Sequence, residues 1–260
     1  MNWALRRQIL DILILIAFFS ILGMLIAYPF LNKTPTCSDG KQNGTETGVD
    51  CGGGCVRACL TSTDPVSIIW SRAFEVTTGR YNAVDYIENH NIDKAVNRIN
   101  YRFRFADANN VYIGKREGAT FIPPSGNFAV FEPAIDLGYS VPVYTTFEFT
   151  EAYDWWQVPA NNLDQLKILF SEIKLTDETT KPKLSVNIKN KSLFVIPDLS
   201  VVAILYDAGG NAIGASQTYL EQISGEEERT ITFTWPNPFP AEVVAKEILP
   251  MFNVFSAQIK

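Results

Sequence analysis

Four cysteines, Cys37, Cys51, Cys55 and Cys59, are the only ones in this 260-residue chain, and they fall in one short stretch. Thiols this close either pair as two disulfides or, as thiolates, hold zinc. Disulfides fit a segment too small to own a hydrophobic core, and the spacing leaves all three pairings open. Between the cysteines stand Asp39, Asn43, Glu46 and Asp50, interspersed with glycines. Calcium takes about six to eight oxygen ligands, so these four, with carbonyls of the Gly-rich loop, form a candidate calcium site. Their spacing is not that of an EF-hand loop, and the same residue types before glycine also make plain turns.

Elsewhere the chain offers little for catalysis. His90 is the single histidine, set between Asn89 and Asn91 in an expected loop. A catalytic histidine needs an orienting partner, and the sequence names none. Ser171 and Lys174 match a Ser-x-x-Lys pattern, but they fall on an expected strand and its companion motifs are missing. The acids are scattered over polar faces, and Glu226, Glu227 and Glu228 read as a charged turn. No glycine-rich phosphate loop leads from a strand into a helix. The formal charge of -6 supplies no basic footprint, so no nucleic-acid partner is expected. Trp155 and Trp156 are adjacent, so on a strand they point to opposite faces. At most one belongs to a core. The other contacts a glycan or partner, or packs between domains, and inter-domain packing is the favoured reading.

These residues are positioned by three kinds of element. Arg6 and Arg7 precede an apolar run from Ile12 to Tyr28, long enough to cross a hydrocarbon core of about 30 Å as a helix. Asp11 lies four residues from Arg7 and can pair with it at headgroup level. No cleavage signal follows the run, so a retained anchor is expected rather than a signal peptide. The two arginines place the N-terminus in the cytoplasm and everything after Leu31 outside. Ser20, Gly23 and Ala27 form a stripe of small residues that could pack on a partner helix. The Asn-x-Ser/Thr matches at Asn32, Asn43 and Asn190 are acceptor sites where a host glycosylates them.

The rest of the chain repeats itself at a spacing of about 100 residues. Ile68–Phe74 matches Ile168–Lys174, and Val84–Asn89 matches Ser185–Asn190. Phe105-Ala106-Asp107, reaching Ile113-Gly114, matches Leu205-Tyr206-Asp207, reaching Ile213-Gly214. Ser125-Gly126 matches Ser224-Gly225. Each copy is built of short strands: Asn100–Phe105 alternates apolar and polar residues, while Val201–Tyr206 is continuously apolar. Turn residues at Asp107–Asn110 and Asp207–Asn211 mark hairpins. Regular short strands of this kind indicate a seven-stranded-type sandwich in each copy. The segment 162–170 could carry a helical turn, but the repeat assigns its latter half to a first strand.

Two resemblances attach to these residues. The run from Cys37-Ser38-Asp39-Gly40 to Val49-Asp50-Cys51-Gly52-Gly53 and Cys55 resembles a short motif of bacterial surface and secreted proteins, found beside β-sandwich domains. It implies a surface setting. The second copy, with Asn190-Lys191-Ser192, Ile204-Leu205-Tyr206-Asp207 and Ser224-Gly225-Glu226, resembles FxLYD-type extracytoplasmic domains; the first follows that plan more loosely. That resemblance implies immunoglobulin-like sandwiches.

The sequence is therefore read as all-β: two tandem immunoglobulin-like β-sandwiches, preceded by one transmembrane helix and a small disulfide-rich loop. Residues 1–33 are the tail and anchor, 34–62 the knot and linker, 63–160 the first sandwich and 161–260 the second. The expected role is that of a single-pass, membrane-anchored surface protein with non-catalytic binding, adhesion or scaffold function. An accessory subunit of a larger membrane complex is the alternative, and an extracytoplasmic hydrolase the third reading.

Overall fold

The computed structural model describes residues 3–31, 34–159, 163 and 167–259. The expected boundary at 160/161 lies outside them, as do Asn32 and most of the segment read as a helical turn. The chain forms two compact units, which meet in sequence between Gly53 and Gly54.

The first unit opens with α1 (Trp3–Leu31), of 29 residues. Its stretch Arg6–Tyr28 has a mean hydropathy of 2.8 and none of it is buried. A helix apolar on every side has no soluble face, and its length is that of a membrane anchor or signal sequence. Arg7 lies 5.5 Å over the Trp3 ring, whereas the Asp11 pairing is not among the described ion pairs.

The second unit is all β. Its first half contains β1 (Ser67–Thr77), β2 (Arg80–Asn89), β3 (Lys94–Ala106), β4 (Tyr112–Ile122), β5 (Gly126–Asp136), β6 (Tyr144–Phe149) and β7 (Trp155–Gln157). Its second half contains β8 (Ile168–Thr176), β9 (Lys183–Asn190), β10 (Phe194–Tyr206), β11 (Ala212–Ile223), β12 (Glu228–Thr234), β13 (Ala245–Met251) and β14 (Gln258–Ile259). The first seven make the sheets β1-β2-β5 and β4-β3-β6, the last seven the sheets β8-β9-β12 and β11-β10-β13. The two topologies are the same strand for strand. In each, the last strand pairs with the start of β3 or β10 beyond the end of β6 or β13. Seven strands thus occupy six lanes.

Equivalent side chains explain why the halves fold alike. Asp107 Oδ1 accepts the N–H groups of Asn109 and Val111, both at 2.9 Å. Asp207 Oδ1 does the same for Gly209 at 2.9 Å and Asn211 at 2.8 Å. The left-handed position of each hairpin falls to Asn110 and Gly210, residues that tolerate it. At the other end Asn89 and Asn190 are buried plugs. Asn89 donates to Lys94 O and Pro123 O and accepts from Asn91 N–H. Asn190 donates to Phe194 O and Ser224 O and accepts from Ser192 N–H. With Asn190 fully buried, its sequon is closed to glycosylation in the folded chain.

The pairings also shift two of the sequence matches. Ile68 lies opposite Ile87, and Phe170 opposite Ile188, so Phe170 rather than Ile168 takes the place of Ile68. Bulges in β1 and β8 absorb the slip. Ser125 corresponds to Glu226, because each has positive φ and donates its N–H to the loop carbonyl of Asn91 or Ser192.

The two sandwiches are not beads on a linker. Val202, Ile204, Leu249 and Met251 of the second sandwich share one apolar cluster with Val84, Tyr86 and Ala129 of the first. On the opposite face of β10, Val201, Ala203 and Leu205 join the second sandwich's own core. The sheets therefore stack in four layers, in the order β4-β3-β6, β1-β2-β5, β11-β10-β13, β8-β9-β12. Each fully buried branched side chain contributes about 1.5–3 kcal/mol, so the joint is a substantial part of the fold.

Candidate functional site

The cysteine segment is the most sequence-specific part of the chain. All four cysteines are disulfide-bonded. With all four sulfurs oxidised, the thiolates that zinc requires are not present. The four candidate calcium ligands lie within one loop and are engaged with the chain itself. Both Asp50 carboxylate oxygens accept the Gly40 N–H, at 3.0 and 2.9 Å. Asp39 accepts the Lys41 N–H at 3.0 Å and the Asn43 amide at 2.9 Å. The Asn43 bond, reinforced by N–H groups, holds the Asp39 carboxyl below its usual range. Glu46 Oε2 accepts the N–H groups of Asn43 and Asp50, at 3.2 and 3.3 Å. Asn43 Oδ1 is buried without a hydrogen-bond partner.

Beyond Gly54 the chain joins the sheet. Gln157 N–H donates to Val56 O at 2.7 Å and Ala58 N–H to Trp155 O at 2.9 Å, so residues 56–58 extend β7 by one short strand. Trp155 is 2% exposed in the first core, and Trp156 is half-exposed. The Trp156 indole N–H donates to Asp154, and its ring meets Phe255 of the second sandwich edge-on at 5.9 Å. Arg57 pairs with Asp154 at 2.9 Å beside it, exposed enough to contribute less than about 1 kcal/mol.

A larger feature escaped the sequence. A cleft of about 760 Å³ opens between β1 and the loop Trp235–Pro240. Arg72, Phe74, Glu75, Asn237 and Phe239 line it, two aromatics with planar polar groups between them. Phe239 can lie against β11 because residue 214 is glycine: a Cβ there would sit 2.8 Å from its ring. Arg72 fixes one wall by donating to Ala212 O at 2.9 Å, and Asn237 ties the other to Val76 O at 3.2 Å. Pockets of this size at domain junctions are the usual form of small-ligand sites. The signal in the sequence was the run Trp235-Pro236-Asn237-Pro238-Phe239-Pro240, too proline-rich for a strand.

Behind the cleft wall, Ser71 Oγ donates to Asp85 Oδ1. Asp85 is fully buried, and its Oδ2 has no partner. Burial pushes its carboxyl up to about 8, against the opposing Ser71 bond, so it is neutral at pH 7. In the second sandwich the same position, counted back from the buried asparagine, is Val186. Asp85 is thus an acid in a place where the repeat otherwise puts an aliphatic side chain.

His90 also gains neighbours that the sequence did not reveal. Its Nε2 lies 3.0 Å from Ser67 Oγ, and its Nδ1 lies 3.5 Å from Glu88 Oε1. Ser67 and Glu88 are opposite each other on β1 and β2, which brings the three together. That is the order of a catalytic triad, but the His90 and Glu88 side chains are 43% and 42% exposed. A triad acts in a water-excluded pocket with oxyanion donors; this one lies on an open strand surface. Ser171 and Lys174 lie on either side of the β8 bulge, away from any helix start.

No family model matches the chain, and no curated protein does. Three solved structures align loosely. Red sea bream transglutaminase has a TM-score of 0.22 at 7% identity over 72% of this chain. A family 2 β-glucuronidase scores 0.21 at 10% identity over 84%. A putative β-galactosidase from Bacteroides fragilis scores 0.23 at 12% identity over 69%. The aligned part is about a third of each of those chains, at 31%, 29% and 35%.

Proposed function

We propose that this is a single-pass surface protein, with its N-terminus in the cytoplasm and the four-layer β body outside, acting as a non-catalytic binding, adhesion or scaffold module. The observation that carries this reading is a cystine-stapled segment directly after a helix of membrane length. Disulfides persist outside the cytoplasm, and the arginines at the helix start favour the same orientation. The apolar joint and the aromatic cleft support a binding role, and the repeated Asn, Asp and Gly positions support kinship with FxLYD-type, immunoglobulin-like domains. Protease added to intact, wall-stripped cells is expected to digest the chain after Leu31 and leave a short membrane-bound fragment. Full protection of residues 54–260 would sink the orientation. The accessory-subunit alternative predicts that bulky replacements at Ser20, Gly23 and Ala27 abolish a crosslinked complex without changing surface display.

The second reading is an extracytoplasmic serine hydrolase, for which the Ser67–His90–Glu88 contacts supply the residue types but not the water-excluded pocket. Its test is a fluorophosphonate probe. Labelling at Ser67 that is lost in His90→Ala would support it, and no labelling would remove it.

A further inference from the structure

The two sandwiches present the same sheet to very different surroundings. In the second, the outward face of β11-β10-β13 carries Val202, Ile204, Leu249 and Met251 and is covered by the first sandwich. In the first, the outward face of β4-β3-β6 carries Arg102, Arg104, Lys115, Glu117 and Glu148, cross-linked by ion pairs of 2.6 to 3.1 Å. This face is built for water, and a protein partner of the kind that covers its counterpart would find no apolar area to bury.

At the end of that ladder the chemistry changes. Ala106 of β3 lies opposite Tyr112 of β4 on one side and Tyr144 of β6 on the other. Residues opposite one another share a face, so two tyrosines flank an alanine floor. The two residues are 60% and 52% exposed, and neither hydroxyl has a partner among the described hydrogen bonds. In the second sandwich the same row reads Ala212, Tyr206, Ala245, the reverse arrangement, with its tyrosine turned to the joint. Tyr112 and Tyr144 sit on strands two lanes apart, about 9.6 Å. A ring held midway lies about 4.8 Å from each, within the range of about 4.5–7 Å at which rings stack.

We propose that Tyr112 and Tyr144, floored by Ala106, clamp one sugar ring of a neutral glycan, and that the adjoining Arg104 and Glu148 hydrogen-bond its neighbouring hydroxyls. Sugar rings pair an apolar face with a polar rim, and the clamp followed by an ion-paired ladder offers both in that order. All five charges of the ladder are engaged in ion pairs, three cations with two carboxylates, so its attraction for a charged ligand is weak. The site also faces away from the entry of the chain. Residues 56–58 join at β7, beside Lys94 and Val96 at the start of β3, and the tyrosines lie at its far end. This inference rests on the reading of an exterior binding protein.

The test is titration calorimetry on the full oxidised chain in detergent micelles, with neutral tetrasaccharides of glucose, mannose and N-acetylglucosamine as probes. One of them is expected to bind, and Tyr112→Ala and Tyr144→Ala should each weaken it about tenfold. Ala106→Leu, which fills the floor and keeps both tyrosines, should do the same. Raising salt to about 0.5 M should leave the affinity unchanged. No binding by any of the three, unaltered binding by the variants, or displacement of the sugar by a proline-rich peptide would overturn the proposal. Failure here leaves protease sensitivity on cells untouched, so the two readings fail separately.

Discussion

The Tyr86 hydroxyl of the first sandwich donates to Glu247 Oε1 of the second at 2.6 Å, and Tyr206 donates to the other oxygen at 2.8 Å. One carboxylate therefore takes both phenols amid the apolar side chains of the joint. Burial and the Glu247 charge both push the two phenols up, which keeps them as donors at any ordinary pH. Glu247→Ala would leave two half-buried hydroxyls without an acceptor. Loss of about 1–3 kcal/mol of unfolding free energy is expected, read by denaturant melts. A change below about 0.5 kcal/mol would mean that the joint is held by apolar contact alone.

The same joint governs the second sandwich in isolation. Residues 167–260 contain most of their core, to which Ala95 and Val158 also contribute, yet expressed alone they would expose Val202, Ile204, Leu249 and Met251 together. A patch of this kind seeks cover. The fragment should form dimers or larger species and bind a hydrophobic dye, and adding the first sandwich should disperse them. A clean monomer without dye binding would show that the face can stand in water.

Asp85 gives the fold an unusual dependence on pH. In the unfolded chain its carboxyl ionises near about 3.9; in the native chain it holds its proton up to about 8. Between those values the native state keeps a proton that the unfolded state has lost. Stability from this group is fully present below pH 4 and falls as pH rises to 8, by about 1.4 kcal/mol per unit. Asp85→Asn should abolish that slope relative to wild type. Asp85→Val, which copies Val186, should raise the unfolding free energy at pH 7 by about 1–3 kcal/mol, because it removes a buried oxygen without a partner. Parallel pH profiles for wild type and Asp85→Asn would show that the carboxyl is ionised in the native state.

Much of the architecture was legible because the repeat carries its own turn chemistry. Asp107 and Asp207, Asn89 and Asn190, Gly114 and Gly214 recur at fixed places, since the acids and amides satisfy backbone at strand ends and the glycines make room for the side chains of Leu137 and Phe239. Strand registers were less legible. Bulges let Phe170 replace Ile168 without disturbing the apolar count. The face-to-face joint was missed although its signal was present: Val201–Leu205 is apolar at every position, and a strand apolar on both sides is buried on both sides. The cleft, the Ser67–His90–Glu88 contacts and the tyrosine pair all depend on which strands become neighbours. Spacing along a chain does not encode that directly.

The knot joins the best-defined covalent frame to the least settled chemistry. Its carboxylates satisfy the N–H groups of Gly40, Lys41, Asn43 and Asp50. A calcium ion would have to share those oxygens, with Asn43 Oδ1 as the one buried acceptor that has no donor. If the loop is held by its own hydrogen bonds, Asp50→Ala lowers the melting temperature of the oxidised full chain equally with and without calcium. Calcium then leaves the wild type unchanged, while reductant loosens residues 37–59 as the disulfides of the four cysteines open. If calcium instead raises the wild-type melting temperature, and Asp50→Ala removes that rise, the cluster closes around a metal. The gain should then grow with the logarithm of calcium concentration above the dissociation constant, a dependence that a set of turns cannot produce.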